Sequence, residues 1–235
     1  MTDNQSAGRT WSDDLARRPG GYAQTWDQWV EGPDAQAQFD ALVLEQAAGQ
    51  TVLDCGCGDG QFTVQVAHTA RQITGLDYSA GLLAHAERNA AQAGISNISF
   101  VLGHARQEVS LQPETFDLAY SRRGPNISLV IPTCVRRGGL LLGLHPLSDA
   151  SQAMRYSDSL RESNLELLHL EGIDDTLRFP TLDDLAGFLN RTPGMPDVRQ
   201  PEHSGLLMEQ AAALAHRGGG YAKRVHYLLW MARRV

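Results

Sequence analysis

The chain has 235 residues, 42% of them hydrophobic and 20% charged, with a formal net charge of −7, enough for one large globular core with or without a small appendage. The acidic balance sets the whole-molecule field against polyphosphate, so a nucleic-acid partner would have to be met by a local basic patch. Of the 20 basic residues only Lys223 is a lysine, which leaves almost no candidate for lysine-based covalent catalysis.

The first twenty residues are polar and broken by Pro19-Gly20-Gly21, without the apolar centre of a signal peptide. Residues 1–48 are expected to form an N-terminal helical cap. Trp11, Trp26, Trp29 and Phe39 fall at spacings that suit helices broken near Pro19–Gly21 and Gly32-Pro33, with Trp26 and Trp29 as packing residues. Residues 49–235 are expected to form the main domain. Short apolar runs at Thr51 to Cys55, Ile73 to Asp77, Ile98 to Leu102, Phe116 to Ser121 and Leu140 to Leu144 read as strands buried on both faces of a parallel sheet. Phe62, Val66 and Ala70 mark one intervening helix, and Leu82, Ala86, Ala90 and Ala93 the next, each with one apolar face. Ser79 is placed to cap the second of these, and Gly94 to end it. The run at Leu140 stops at His145-Pro146, too short for a membrane span, so a cytoplasmic protein with no membrane partner is expected.

Beyond Pro146 the pattern predicts a helix from Asp149 to Glu162, a strand from Leu165 to Leu170, helices from Thr181 to Asn190 and Leu206 to His216, and a closing strand from Val225 to Ala232. The βαβα alternation implies a doubly wound α/β domain, whose ligands bind along the edge formed by the loops that follow the strands. Cys55, Cys57 and Cys134 lack the second cluster a zinc site requires. The first two read as packing residues, the third as core, and no metal is expected.

The segment Val52-Leu53-Asp54-Cys55-Gly56-Cys57-Gly58-Asp59-Gly60 brings a strand into a glycine loop, where a backbone free of Cβ atoms can approach a ligand and the amides of the following helix can face it. The dinucleotide fingerprint requires Gly or Ala where Gln61 stands, which argues against a nicotinamide or flavin site. The loop instead resembles motif I of the class I S-adenosylmethionine-dependent methyltransferases. Leu76-Asp77-Tyr78-Ser79, with its carboxylate 23 residues past Asp54, matches the acidic second strand end of that family, which is suited to accept ribose hydroxyls. Val101-Leu102-Gly103-His104-Ala105, Thr115 to Ser121 and Arg137 to Leu142 resemble the later strands, with His104 where the family often carries an acid toward adenine.

The resemblance implies a Rossmann-like, doubly wound, mostly parallel seven-stranded sheet with helices on both faces, and S-adenosylmethionine as cofactor. The implied contacts are Asp54, Gly56, Cys57, Gly58, Gly60, Asp77, Tyr78, His104, Ala105 and Ser121. Ser121-Arg122-Arg123-Gly124-Pro125-Asn126 lacks the Asp/Asn-Pro-Pro-aromatic sequence common in enzymes acting on the exocyclic amine of adenine. Arg122 and Arg123 either bind a substrate carboxylate or phosphate or pair with acids of the fold. Tyr22 and His145 are further substrate candidates, and His104, His145 and Tyr22 the available bases should the acceptor be a hydroxyl. No residue is singled out as catalytic, since the cofactor carries the activation. A small-molecule acceptor is expected. The alternatives are ribosomal or transfer RNA, met by a patch of Arg122, Arg123, Arg136 and Arg137, and a cofactor-binding protein without chemistry.

Overall fold

A computed structural model of the chain describes residues 3–18, 23–105 and 111–235. In chain order the elements begin with α1 (Asp3–Arg17), β1 (Trp29–Glu31), α2 (Ala35–Ala47), β2 (Thr51–Cys55), α3 (Gln61–Ala67), β3 (Gln72–Asp77), α4 (Ala80–Gln92), β4 (Ile98–Leu102) and β5 (Phe116–Arg122). They continue with β6 (Val135–Leu147), α5 (Ala150–Glu162), β7 (Leu165–Phe179), α6 (Leu182–Leu189), α7 (Ser204–Leu214) and β8 (Tyr221–Arg234). The chain divides into two units, Ala35–Ile173 with His226–Val235, and Met1–Asp34 with Asp174–Val225.

In the larger unit the strands lie in the order β7-β8-β6-β5-β2-β3-β4. The five from β6 to β4 are parallel, and β8 runs antiparallel to β6. With β1 paired to β7 the whole sheet has eight strands, one more than the seven expected, and is mostly parallel as expected. Leu53, Leu76, Ala119, Leu141 and Trp230 bury completely at its centre, as apolar strands covered on both faces must. Tyr120 meets Phe39 of α2 edge-on at 6.4 Å, and Arg122 reaches Asp40 of the same helix. Arg122 pairs in register with Leu144, so the next residue, His145, points to the other face, where its ring stacks on Tyr156 of α5 at 4.4 Å. Helices therefore cover both faces.

Local rules hold where they were expected. Ser79 caps α4 by accepting the Leu82 amide, and Gly94 follows its end at φ +67°. Leu82, Ala86 and Ala90 bury, whereas Ala93 is exposed. β6 starts five residues before the expected Leu140, because Gly138 and Gly139 sit in an irregularity within the strand, between the Phe116–Val135 and Leu118–Leu140 pairs, instead of in a turn ahead of it. It also runs on through His145, placed beyond the strand by the sequence.

The smaller unit packs α6 and α7 against the ends of β7 and β8 around Phe179, Leu185, Leu189 and Val198. Thr181 and Asp184 form a capping box on α6, which satisfies two otherwise orphaned amides. β1 pairs antiparallel with β7, Trp29 opposite Arg178, so a short strand stands where only helices were expected; three residues are too few for periodicity to register. Trp26 packs edge-on to Phe188 at 6.4 Å, while Trp29 is 48% exposed, its ring facing the Arg178 guanidinium.

Candidate functional site

The β2–α3 connection turns through Gly56, Gly58 and Gly60, all at positive φ (82°, 57° and 73°), a region that side chains other than glycine rarely occupy. A Cβ at Gly56 would stand 2.8 Å from Cδ of Pro125, and one at Gly60 2.8 Å from Cβ of Ala86. The loop is thus pressed between the β5–β6 connection and α4. Asn89 of α4 also donates to the Asp59 carbonyl at 2.9 Å.

Four of the loop amides are engaged within the protein. Those of Gly56 and Cys57 donate to the Leu76 carbonyl at 2.7 and 3.1 Å, that of Gly60 to the Cys57 carbonyl at 3.0 Å, and that of Gly58 to Oδ2 of Asp77 at 3.0 Å. At the start of α3, the Gln61 amide is turned to the Asp59 carboxylate. The expectation that helix amides face the bound molecule is not met at that residue. A phosphate cradle needs such amides aimed outward.

Two buried carboxylates flank the loop. Asp54, 3% exposed, accepts the Thr63 hydroxyl at 2.8 Å. Burial pushes its pKa up to about 6, against the hydrogen bond of Thr63, the nearby Tyr120 hydroxyl and the charge of Arg122, while the nearby Asp77 adds to the rise. Asp77, 5% exposed, accepts the amides of Gly58 and Ser79 on its two oxygens.

A half-buried aromatic pair stands where β3 and β4 end, Tyr78 stacked on His104 at 5.5 Å. Ala105 is buried in the core. Ser121 is fully buried and donates to the Pro125 carbonyl at 2.8 Å, folding the loop that presses on Gly56. Burial raises the thiol pKa of Cys55, Cys57 and Cys134, so none is presented as a thiolate.

Of the two readings open for Arg122, the structure takes pairing. Its Nε and Nη2 donate to the two oxygens of Asp40 at 2.7 and 2.8 Å. Arg123, in the left-handed region at φ +60°, is exposed and donates its amide to Leu144. The four-arginine patch does not form. Arg122 lies at the Leu144 end of the β5–β6 pair, and Arg136 and Arg137 lie next to the Phe116–Val135 pair, six residues and roughly 20 Å along the strand. Arg136 is moreover bound to Asp117. His145 is 1% exposed, its ring stacked between those of Tyr156 and Trp230, as a packing residue would be. Tyr22 lies outside the described residues. Sequence reading missed Asp40, Thr63 and Tyr120, whose contacts span sequence separations that no local pattern encodes.

The residues fit a ligand with cationic groups and a diol better than one with a pyrophosphate, because two buried carboxylates beside the loop would repel phosphate and four of its amides are already engaged. No group of three or more His, Cys, Asp or Glu among the described residues is placed to hold a metal ion. No described helix is long and apolar enough to cross a membrane.

The strand order is that of the Rossmann-like methyltransferase fold, with an acidic, glycine-lined loop after the first central strand. Residues 52–131 match the family described as a methyltransferase domain. The chain is 25% identical to a functionally unknown protein from Deinococcus radiodurans R1, with TM-score 0.68, covering 97% of this chain and 100% of that one. A putative methyltransferase from Bacillus halodurans C-125 is 18% identical with TM-score 0.62, over 84% of this chain and 99% of that one. Among curated proteins, the 23S rRNA (uracil(1939)-C(5))-methyltransferase RlmD of Stenotrophomonas maltophilia is 34% identical over 103 residues, 44% of this chain and 22% of that protein. The chain thus spans about a fifth of that relative's length. The match over residues 52–131 and the strand order give the chain the fold of the Rossmann-like methyltransferases.

Proposed function

We propose that the chain transfers a methyl group from S-adenosylmethionine to a small-molecule acceptor. The observation that carries the cofactor half of the reading is the pairing of a phosphate-averse glycine loop with the buried carboxylates of Asp54 and Asp77. In this reading Asp54 takes the methionine end and Asp77 the ribose, with the backbone at Gly56, Cys57, Gly58 and Gly60 alongside. Tyr78, His104 and Ala105 border the base, and Ser121 supports the loop beneath. Bound there, the cofactor supplies a methyl group already activated by its sulfonium. The protein's own work is to orient both reactants and exclude water. Should the acceptor be a hydroxyl, His104, half-buried at the sheet edge, is better placed than the enclosed His145 to take its proton.

The acceptor half rests on charge. Arg122 and Arg136 are held by Asp40 and Asp117 on a chain of net charge −7, which disfavours a polyanion. RNA stays as a second reading because of the name of the relative that matches 44% of the chain. Methylation at uracil carbon-5 needs a nucleophile to add to the ring first, and no described thiol here is ionised for that. The test follows S-adenosylhomocysteine release over a panel of small acceptors and over total RNA at 50 and 300 mM salt. Turnover of a small acceptor with little salt dependence supports the proposal. Turnover of RNA alone, falling steeply with salt, overturns it. Cofactor binding with no product from either identifies a binding protein.

A further inference from the structure

Asp40, on α2, has no place in the glycine loop, yet its contacts lead back to it. Both of its oxygens hold Arg122. The guanidinium lies over the Phe62 ring at 4.9 Å, and Phe62 meets Tyr120 edge-on at 5.7 Å. Tyr120 is fully buried beside Asp54. The arginine is thereby fixed from two sides, by a fork on a carboxylate and by an aromatic face. Among the described residues it is the positive charge that acts on Asp54. The other described groups facing Asp54 are the hydroxyls of Thr63 from α3 and Tyr120 from β5, the carboxylate of Asp77 from β3, and the thiols of Cys55 and Cys57. Of these, only Arg122 brings a positive charge.

Resting on the cofactor reading above, we propose that Asp40 is a positioning residue of the cofactor site: it holds the Arg122 guanidinium against Phe62, where its charge keeps the Asp54 carboxylate available to a cationic ligand. Asp40 touches no ligand in this scheme and acts through Arg122. A buried carboxylate deprived of its counter-charge takes up a proton instead, and it must lose that proton again whenever a cation binds.

The test has two arms on the full chain. In the ligand-free protein, ¹³C NMR follows the carboxyl of Asp54 against pH in the parent, Asp40→Asn and Arg122→Met, with Asp54→Asn to assign the signal. The expected midpoint lies near 6 in the parent, rises by about one unit in Arg122→Met, which removes the nearby opposite charge, and rises by less in Asp40→Asn, which leaves that charge in place but unheld. A midpoint that is unchanged in Arg122→Met, or that falls in Asp40→Asn, overturns the proposal. The second arm is calorimetric titration with S-adenosylmethionine at pH 6.5 in two buffers of different ionisation enthalpy. Both variants are expected to release more protons per ligand bound than the parent, with affinity weakened about three- to tenfold. Equal proton release in all three overturns the proposal. No binding by the parent at any pH, beside shifted NMR midpoints, overturns the cofactor reading while leaving the link from Asp40 to Asp54 standing.

Discussion

The backbone amide of Gly58 donates to Asp77 at 3.0 Å, so the residue proposed to meet the cofactor ribose also ties down the glycine loop. Asp77 accepts the Ser79 amide on its other oxygen. Replacement by alanine leaves two amides without their acceptor, at about 1–3 kcal/mol each where they stay buried. Asp77→Ala is expected to lose several degrees in Tm as well as cofactor affinity. A variant that loses affinity with an unchanged melting curve contradicts the latch.

Asp54 gives a pH dependence whose sign follows from its shift. Its pKa in the folded protein is about 6 against 3.8 for an ordinary aspartate, so the folded state binds the proton more tightly than the unfolded chain does. The stability that this group lends is fully present below pH 4 and is lost as pH rises through 6. The loss is about 3 kcal/mol. Urea denaturation of ligand-free Asp54→Asn is therefore expected to show greater stability than the parent at pH 8, by about 1–3 kcal/mol, with the gap closing toward pH 4. A gap that widens toward acid counts against the burial argument.

His145 is stacked between Tyr156 and Trp230 and is treated as packing. His145→Phe keeps the planar stack, so kcat is expected to stay within about threefold of the parent, since removing a general base costs about a hundredfold or more. A loss on that scale with an unchanged Tm returns His145 to the chemistry.

Gly143 pairs in register with Trp230 across β6 and β8, and a methyl group added there would overlap the indole ring and crowd His145. Overpacking of this kind costs about 1–3 kcal/mol. Gly143→Ala is expected to unfold at lower urea concentration, and full stability would show that the indole moves aside at little cost.

The central strands were legible in sequence because burial on both faces leaves continuous apolar runs: the run from Thr51 to Cys55 is β2 itself. The loop was legible because positive φ demands glycine at 56, 58 and 60. What escaped is either too short or too distant. The strand Trp29–Glu31 has no room for a period, and the extension of β6 was hidden by Gly138-Gly139, which reads as a turn in sequence. Arg122 showed a charge but not its partner, because the pair with Asp40 joins residues 82 apart. The same gap made Arg122, Arg123, Arg136 and Arg137 look like one patch, although they stand at two ends of a strand pair.

The central claim is that the acidic glycine loop receives S-adenosylmethionine and rejects a dinucleotide, and calorimetric titration of both ligands into the parent and Gly56→Val tests it most directly. Gly56 sits at φ +82° with no room toward Pro125, so valine must distort the loop. The account predicts micromolar binding of S-adenosylmethionine to the parent, none of NAD, and at least a tenfold weakening in Gly56→Val. Tight NAD binding without S-adenosylmethionine binding, or equal S-adenosylmethionine affinity in a folded Gly56→Val, would contradict it.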